Sequence, residues 1–122
     1  MRTMWGRNNQ SSIERNQRRC DAGLMSRHYP DVASLVIGMM YKQKGVAEPI
    51  QRTVHFFPGS YAFFRLDCLS DDCVDGGFDM SWIIPSMIRN HRESEEGELG
   101  CDDTGPRAGH SNIAYEISIQ YT

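Results

Sequence analysis

The sequence lacks any apolar run close to the roughly 20 residues that a membrane-spanning helix needs. The first ten residues lack the apolar segment of a secretory signal, so we expect a cytoplasmic protein with no membrane association. A nucleophile elbow, a phosphate-binding loop and a His-Glu-x-x-His pair are also missing, which argues against an enzyme. A metal-dependent hydrolase would require a metal ion with an open coordination position.

Cysteine is scarce, with four residues in a chain of 122. A single domain of this length has a modest core and is close to the size at which a metal or a disulfide helps stability. In a reducing compartment, four cysteines are more often metal ligands or buried thiols than disulfides.

The four chemically informative residues form two pairs, each of which brackets a polar loop beside a strand-like run. Cys68 and Cys73 form a Cys-x4-Cys, and Cys101 is followed nine residues later by His110. Thiolates and imidazole suit Zn²⁺, so we predict a structural zinc site with these four ligands. Cys20 is an alternative fourth ligand, since a thiolate is at least as good a donor as imidazole. The arginines beside Cys20 also allow a reactive thiol there.

Charge is distributed very unevenly along the chain, although the net charge is only -3. Residues 1–66 have ten Lys and Arg against four Asp and Glu, a net charge of +6, whereas residues 67–122 have three against twelve, a net charge of -9. Such a division can attract an acidic partner to one end of a protein and repel it from the other. Ordinary solvated surface charge is the alternative.

The hydrophobic pattern predicts a basic, polar and disordered N-terminal tail over residues 1–17 and one α+β domain over residues 18–122. We expect a largely antiparallel sheet of about five strands with one main helix and a short N-terminal helix, in the order α-β-β-β-α-β-β. The predicted helices cover residues 22–28 and 79–91, and the predicted strands cover residues 32–41, 51–57, 61–68, 98–101 and 113–121.

Three local patterns carry this prediction. Pro58-Gly59-Ser60 separates two aromatic runs, which is typical of a hairpin. Trp82, Ile83, Met87 and Ile88 form an apolar stripe on the main helix, which Asp79 or Ser81 caps. The last strand alternates strictly between apolar and polar residues from Ile113 onward.

A second possible site combines aromatic and basic residues. Tyr61, Phe63 and Arg65 share one face of a predicted strand, and ring stacking with positive charge is typical of single-stranded nucleic-acid binding. Alternatively, these rings belong to the core. The possible nucleic-acid contacts are Arg15, Arg18, Arg19, Tyr61, Phe63 and Arg65.

The stretch from Phe64 to Met80, which includes Cys68-x4-Cys73-Val-Asp-Gly-Gly-Phe-Asp, resembles a set of small bacterial proteins without an assigned activity. Those proteins have two further cysteines before a final tyrosine-rich strand, and the resemblance covers roughly residues 18–122. His110 stands where the last cysteine of the set is found. The resemblance therefore implies a zinc site and favours His110 over Cys20 as the fourth ligand.

Together these features predict a small binding or regulatory protein that acts through an unknown protein partner, for instance as an inhibitor from a phage or mobile element. Its acidic surface would compete for a nucleic-acid site on that partner. The alternative is a nucleic-acid-binding domain that uses the N-terminal arginines and the aromatic strand face. Either a monomer or a dimer is possible, the dimer forming through an exposed edge at residues 113–121.

Overall fold

In a computed structural model of the chain, residues 13–70, 73, 76–102 and 110–122 are described. These residues form the predicted α+β fold, with a four-stranded antiparallel sheet and a separate two-stranded sheet. The helices within them are α1 (13–21), α2 (Met25–His28) and α3 (Ile84–Arg89). The strands are β1 (Val32–Gln43), β2 (Ile50–Phe56), β3 (Arg65–Asp67), β4 (Gly77–Asp79), β5 (Ser94–Gly100) and β6 (Ser111–Tyr121).

The larger sheet has the order β2-β1-β6-β5, so β1 and β6 lie in its centre. Ile37 pairs with Ile117 in the middle of the β1–β6 ladder. The predicted alternation of the last strand is confirmed, because its odd-numbered residues are buried from Ser111 to Ile119. The predicted exposed edge at residues 113–121 is wrong, since β6 pairs on both sides. A dimer cannot form there by adding a strand.

One face of this sheet is buried and the other is open. The inward side chains of β1, among them Leu35 and Ile37, are fully buried, whereas Val36 and Met40 on the opposite face are half-buried. An irregularity between Val32 and Ser34 shifts the register, which allows Val32 and Leu35 to face the same core although three positions separate them. The core therefore lies on one side of the sheet.

The β3–β4 hairpin, α2 and α3 cover the buried face of the sheet. Leu66 pairs with Phe78 across β3 and β4, and both residues are buried. Met25 from α2 and Ile84 from α3 complete this second layer, with at most 1% of each residue exposed. The layer positions the ends of β3 and β4 against the ends of β5 and β6.

The predicted main helix begins later and is shorter than expected. Residues 77–79, at the predicted helix start, form β4 because they pair with β3. The helix α3 then begins at Ile84 with Pro85 in its first turn, where a missing N–H does little harm. Trp82 lies in the preceding turn and is 67% exposed, so its assignment to the apolar stripe was wrong.

The predicted hairpin between residues 51–57 and 61–68 does not form. Strand β2 pairs with β1, and β3 pairs with β4. Residues 60–62 instead run beside the start of α2, where Met25 N–H donates to Ser60 O and Ala62 N–H donates to Gly23 O. These backbone bonds separate the two aromatic runs.

Helix α1 crosses the predicted boundary between residues 17 and 18, so residues 13–17 are helical, while residues 1–12 lie outside the described residues. The short helix predicted over 22–28 is found as α2, with Leu24 at its N-cap. Asp21 ends α1 and accepts a hydrogen bond from Gln17. None of the helices in the described part of the chain is long and apolar enough to cross a membrane.

Candidate metal centre

Two hairpin loops meet at one end of the molecule, and each supplies two of the predicted ligands. Cys68 and Cys73 lie in the loop that joins β3 to β4. Cys101 directly follows β5, and His110 directly precedes β6. The ligand atoms of all four residues lie within 4.8 Å of one another. The structure therefore brings together the four residues that the sequence predicts as ligands.

The distances between these atoms fit one small cation. Cys73 Sγ lies 3.7 Å from Cys101 Sγ, and Cys68 Sγ lies 3.2 Å from His110 Nε2. Tetrahedral zinc with bonds of about 2.0–2.3 Å places neighbouring ligand atoms about 3.5–3.8 Å apart. Small side-chain rotations would bring the Cys68–His110 separation into this range. The cluster can hold a metal ion of the size and geometry of zinc.

The Cys68 sulfur is surrounded by hydrogen-bond donors. The hydroxyl oxygens of Tyr41 and Ser111 lie 3.6 and 3.2 Å from Cys68 Sγ, and the Ser70 N–H also donates to it. Burial alone would raise the pKa of Cys68, but these donors and His110 together lower it to about 6. At neutral pH the geometry favours the thiolate, which is the form that binds metal.

Cys73 has the opposite environment. Burial and the neighbouring Cys101 thiol raise the pKa of Cys73 to about 12, although a hydrogen bond from the Gly76 N–H opposes this rise. A cation between the sulfurs would remove this cost, because its charge stabilises a thiolate directly. Metal binding at Cys73 should therefore release a proton.

Contacts beside the ligands hold the two loops together. Asp102, next to Cys101, accepts from the Gly77 N–H through Oδ1 at 2.9 Å and donates its own N–H to Gly77 O at 3.0 Å. The Arg65 guanidinium forms a bidentate ion pair with the same carboxylate. In addition, the Cys68 N–H donates to Gly76 O. These bonds fix the loop bases independently of a cation.

The alternative ligand Cys20 lies elsewhere. It is exposed on α1 and contacts the Tyr61 hydroxyl, whose pKa rises because of this hydrogen bond. The cluster of candidate ligands in the described residues contains His110 and not Cys20. The geometry thus agrees with His110 as the fourth ligand, the residue that the resemblance to the bacterial proteins favours over Cys20.

Four of the six residues predicted to contact nucleic acid line a second feature, a groove of about 290 Å³ between β2 and residues 60–67. The structure brings Arg19, Tyr61, Phe63 and Arg65 together along it. Tyr61 is 39% exposed, so the alternative that the aromatic face belongs to the core is wrong for this residue. The neighbouring Phe64 and Leu66 are buried.

The predicted arginines differ in their surroundings. Arg15 pairs with Asp67 at 3.9 Å, and Arg65 pairs with Asp102. Arg19 lies over the Phe63 ring, with its guanidinium carbon 5.9 Å from the ring centroid. Arg18 is exposed on α1 and is absent from the residues that line the groove.

Sequence reasoning missed three residues that the structure places at these sites. Tyr41 and Ser111 reach Cys68, and Arg52 lines the groove. Ser111 was detectable, because it follows His110 directly. Tyr41 and Arg52 gave no signal, since their positions depend on which strands become neighbours.

No family model, no curated protein and no solved structure matches this chain.

Proposed function

We propose that this is a small regulatory binding protein, in which a structural zinc ion holds two hairpin loops together and the uncovered face of the sheet binds another protein. The donor set supports zinc, since thiolates and imidazole suit Zn²⁺ whereas calcium and magnesium prefer oxygen ligands. Four protein ligands would leave tetrahedral zinc without a position for water. This favours a structural role over hydrolysis.

The binding surface in this proposal is the open face, the side of the four-stranded sheet opposite the core. It contains a shallow depression of about 430 Å³ with half-buried apolar side chains in the middle and carboxylates toward β5. The residues that define the open face are Val36, Gly38, Met40, Glu96, Ala114, Glu116 and Ser118. An apolar centre with a charged rim is the usual composition of a protein-binding surface.

The observation that carries the proposal is the pairing of Glu96 with Glu116. The two residues are direct neighbours in the β5–β6 register, and both are exposed. Like charges directly opposite each other on antiparallel strands are destabilising. A basic partner would relieve this repulsion, which supports a partner protein with a positively charged surface.

Such a partner would often use its basic surface for nucleic acid, and the carboxylates of the open face would then compete with phosphates. This is the way in which an inhibitor encoded by a phage or another mobile element could act. Val36 and Met40 would add apolar contact area that phosphate groups cannot provide.

The metal part of the proposal is tested by elemental analysis of natively purified protein. We expect one zinc per chain, with loss of zinc and of thermal stability in Cys73→Ser and in His110→Ala. Cys20→Ser is the matched control and should keep its zinc, because Cys20 lies outside the cluster. A folded wild-type protein without metal would refute the structural zinc site.

The partner part is tested by affinity capture with the full chain as bait, comparing wild type with Glu96→Gln/Glu116→Gln. We expect the double variant to lose a basic protein that wild type retains. It should also become more stable to urea, by about 0.2–1 kcal/mol, because the cross-strand repulsion is removed. Lower binding together with higher stability is the signature of a functional surface.

The control is Glu48→Gln/Asp21→Asn, which removes two exposed carboxylates outside the open face. It should retain the captured protein. Equal capture by wild type and by Glu96→Gln/Glu116→Gln would rule out binding through this face.

A further inference from the structure

We propose that the groove between β2 and residues 60–67 binds single-stranded nucleic acid. The groove lies along β2, at one edge of the four-stranded sheet, whereas the carboxylates of β5 lie at the other edge. The arginines of the groove and the carboxylates of β5 therefore lie at opposite edges of the sheet. This site is distinct from the open face and does not depend on a protein partner there.

The positive charge available in the groove comes from Arg19 and Arg52. Both are exposed, and neither has a carboxylate partner among the described residues. Arg15 and Arg65 have such partners, so their charges are largely neutralised. Two guanidinium groups without a carboxylate partner in the described part of the chain, both beside one groove, are suited to successive phosphates of a strand.

The groove also offers ring faces. Tyr61 is 39% exposed, and Phe63 is half-buried beneath the Arg19 guanidinium. Residues at positions 61, 63 and 65 point away from the core because the intervening residues 64 and 66 are buried in it. A base stacked on an aromatic side chain strengthens binding whichever base it is, because every base has a flat ring face.

The combination of positive charge and exposed ring faces in the groove selects the class of ligand. An acidic peptide would satisfy the two arginines but has few flat rings for Tyr61 and Phe63. Duplex nucleic acid offers phosphates, but its bases are already stacked on one another. A single strand supplies both regularly spaced phosphates and accessible bases. Asp67, the carboxylate that lines the groove, is paired with Arg15 and repels such a strand less than a free carboxylate would.

The test is fluorescence anisotropy of labelled single-stranded DNA and RNA homopolymers with the full chain, over a series of salt concentrations. We expect binding that weakens with salt, and a slope of log K against log salt whose magnitude falls by about 1.4–2 in Arg19→Gln/Arg52→Gln. Tyr61→Leu keeps an apolar side chain without a ring and should weaken binding roughly 5- to 150-fold, the equivalent of one lost base stack.

Arg27→Gln/Arg89→Gln is the matched control, because it removes two exposed arginines outside the groove. It should bind as wild type does, and circular dichroism checks that every variant is folded. Equal weakening by both double variants would overturn the proposal in favour of unspecific charge attraction. So would the absence of binding at about 10⁻⁴ M protein, the weak end of non-specific affinities, at low salt. Binding to an acidic peptide that outcompetes the single strand would also overturn it.

Discussion

Arg65 and Asp102 form a bidentate ion pair that joins β3 to the segment after β5, directly beside the candidate metal ligands. Arg65 Nη2 lies 3.0 Å from Asp102 Oδ1, and the Gly77 N–H donates to the same oxygen. The pair connects the two hairpin loops through side chains, as the metal ion would connect them through Cys68 and Cys101. The ion pair and the candidate metal site thus lie side by side between the same two loops.

We expect Asp102→Asn to lower the free energy of unfolding at neutral pH by about 1 kcal/mol, since the Asp102 side chain is 46% exposed and solvent screens the pair. The Arg65 hydrogen bond lowers the pKa of Asp102. The stabilisation is therefore present above the ordinary Asp pKa of about 3.9 and is lost as pH falls through the lower folded value. Urea titrations at several pH values should show the difference from wild type shrinking in acid.

Acid would also protonate the candidate metal ligands, which could change stability in every variant. Asp79→Asn therefore serves as the control for the urea titrations at different pH values. It alters a carboxylate on β4 that accepts a hydrogen bond from the Ser81 N–H. Its difference from wild type should not follow the titration of Asp102. A constant difference for Asp102→Asn at all pH values would contradict the ion-pair interpretation.

Gly77→Ala should be strongly destabilising. A Cβ at position 77 would lie 2.4 Å from the carbonyl oxygen of Leu66, which belongs to the paired strand and cannot rotate away. We expect a loss of about 1–3 kcal/mol in thermal or urea unfolding, the range typical of overpacked sites. Gly100→Ala is the control, because nothing lies within 4 Å of its Cβ and it is also close to a ligand cysteine. Its stability should stay near that of wild type.

Tyr41→Phe tests whether the hydroxyl beside Cys68 supports metal binding. Removing a partner of a ligand typically lowers metal affinity about 10- to 100-fold, so zinc should be lost to a competing chelator at lower chelator concentration. Tyr121→Phe is matched to it, since Tyr121 is the last residue of β6, at the opposite end of that strand from His110. The Tyr121 hydroxyl donates to Arg92 O at 2.7 Å. The second variant should lose stability but keep its zinc affinity. Equal affinities in both variants would show that the hydroxyl of Tyr41 does not assist the site.

Ile84→Ala and Trp82→Ala distinguish the observed start of α3 from the predicted one. Ile84 is fully buried, and its truncation should cost about 2–5 kcal/mol. Trp82 is 67% exposed, and its truncation should change stability by about 0.5 kcal/mol or less. Urea denaturation measures both. A large loss in Trp82→Ala would mean that the tryptophan packs as the apolar stripe predicts.

The candidate site was predictable because its chemistry is local in sequence. Cysteine and histidine are rare residue types, and each pair brackets one loop, so their spacing alone indicated a metal site. The alternative Cys20 could not be ranked below His110 by spacing. Only the tertiary structure shows that α1 carries Cys20 toward Tyr61 instead.

The errors in the fold prediction share one cause, which is competition between partners that are distant in sequence. Residues 77–79 have a helix-start pattern, but pairing with β3 satisfies their backbone groups. The aromatic run after Ser60 resembles a hairpin strand, but its first residues form backbone bonds with the segment around Met25 instead. Local propensity is weak compared with such tertiary contacts.

The sequence by itself determined the α+β class, the alternation of the last strand and the identity of the four candidate ligands, because periodicity and residue chemistry are properties of short stretches. Tertiary structure alone decided the strand order β2-β1-β6-β5, which leaves one face of the sheet open and sets Glu96 opposite Glu116. It also placed Tyr41 against Cys68 and Arg52 beside Tyr61. These relationships join residues that are far apart in the chain, so they follow from packing the whole core and not from any local pattern.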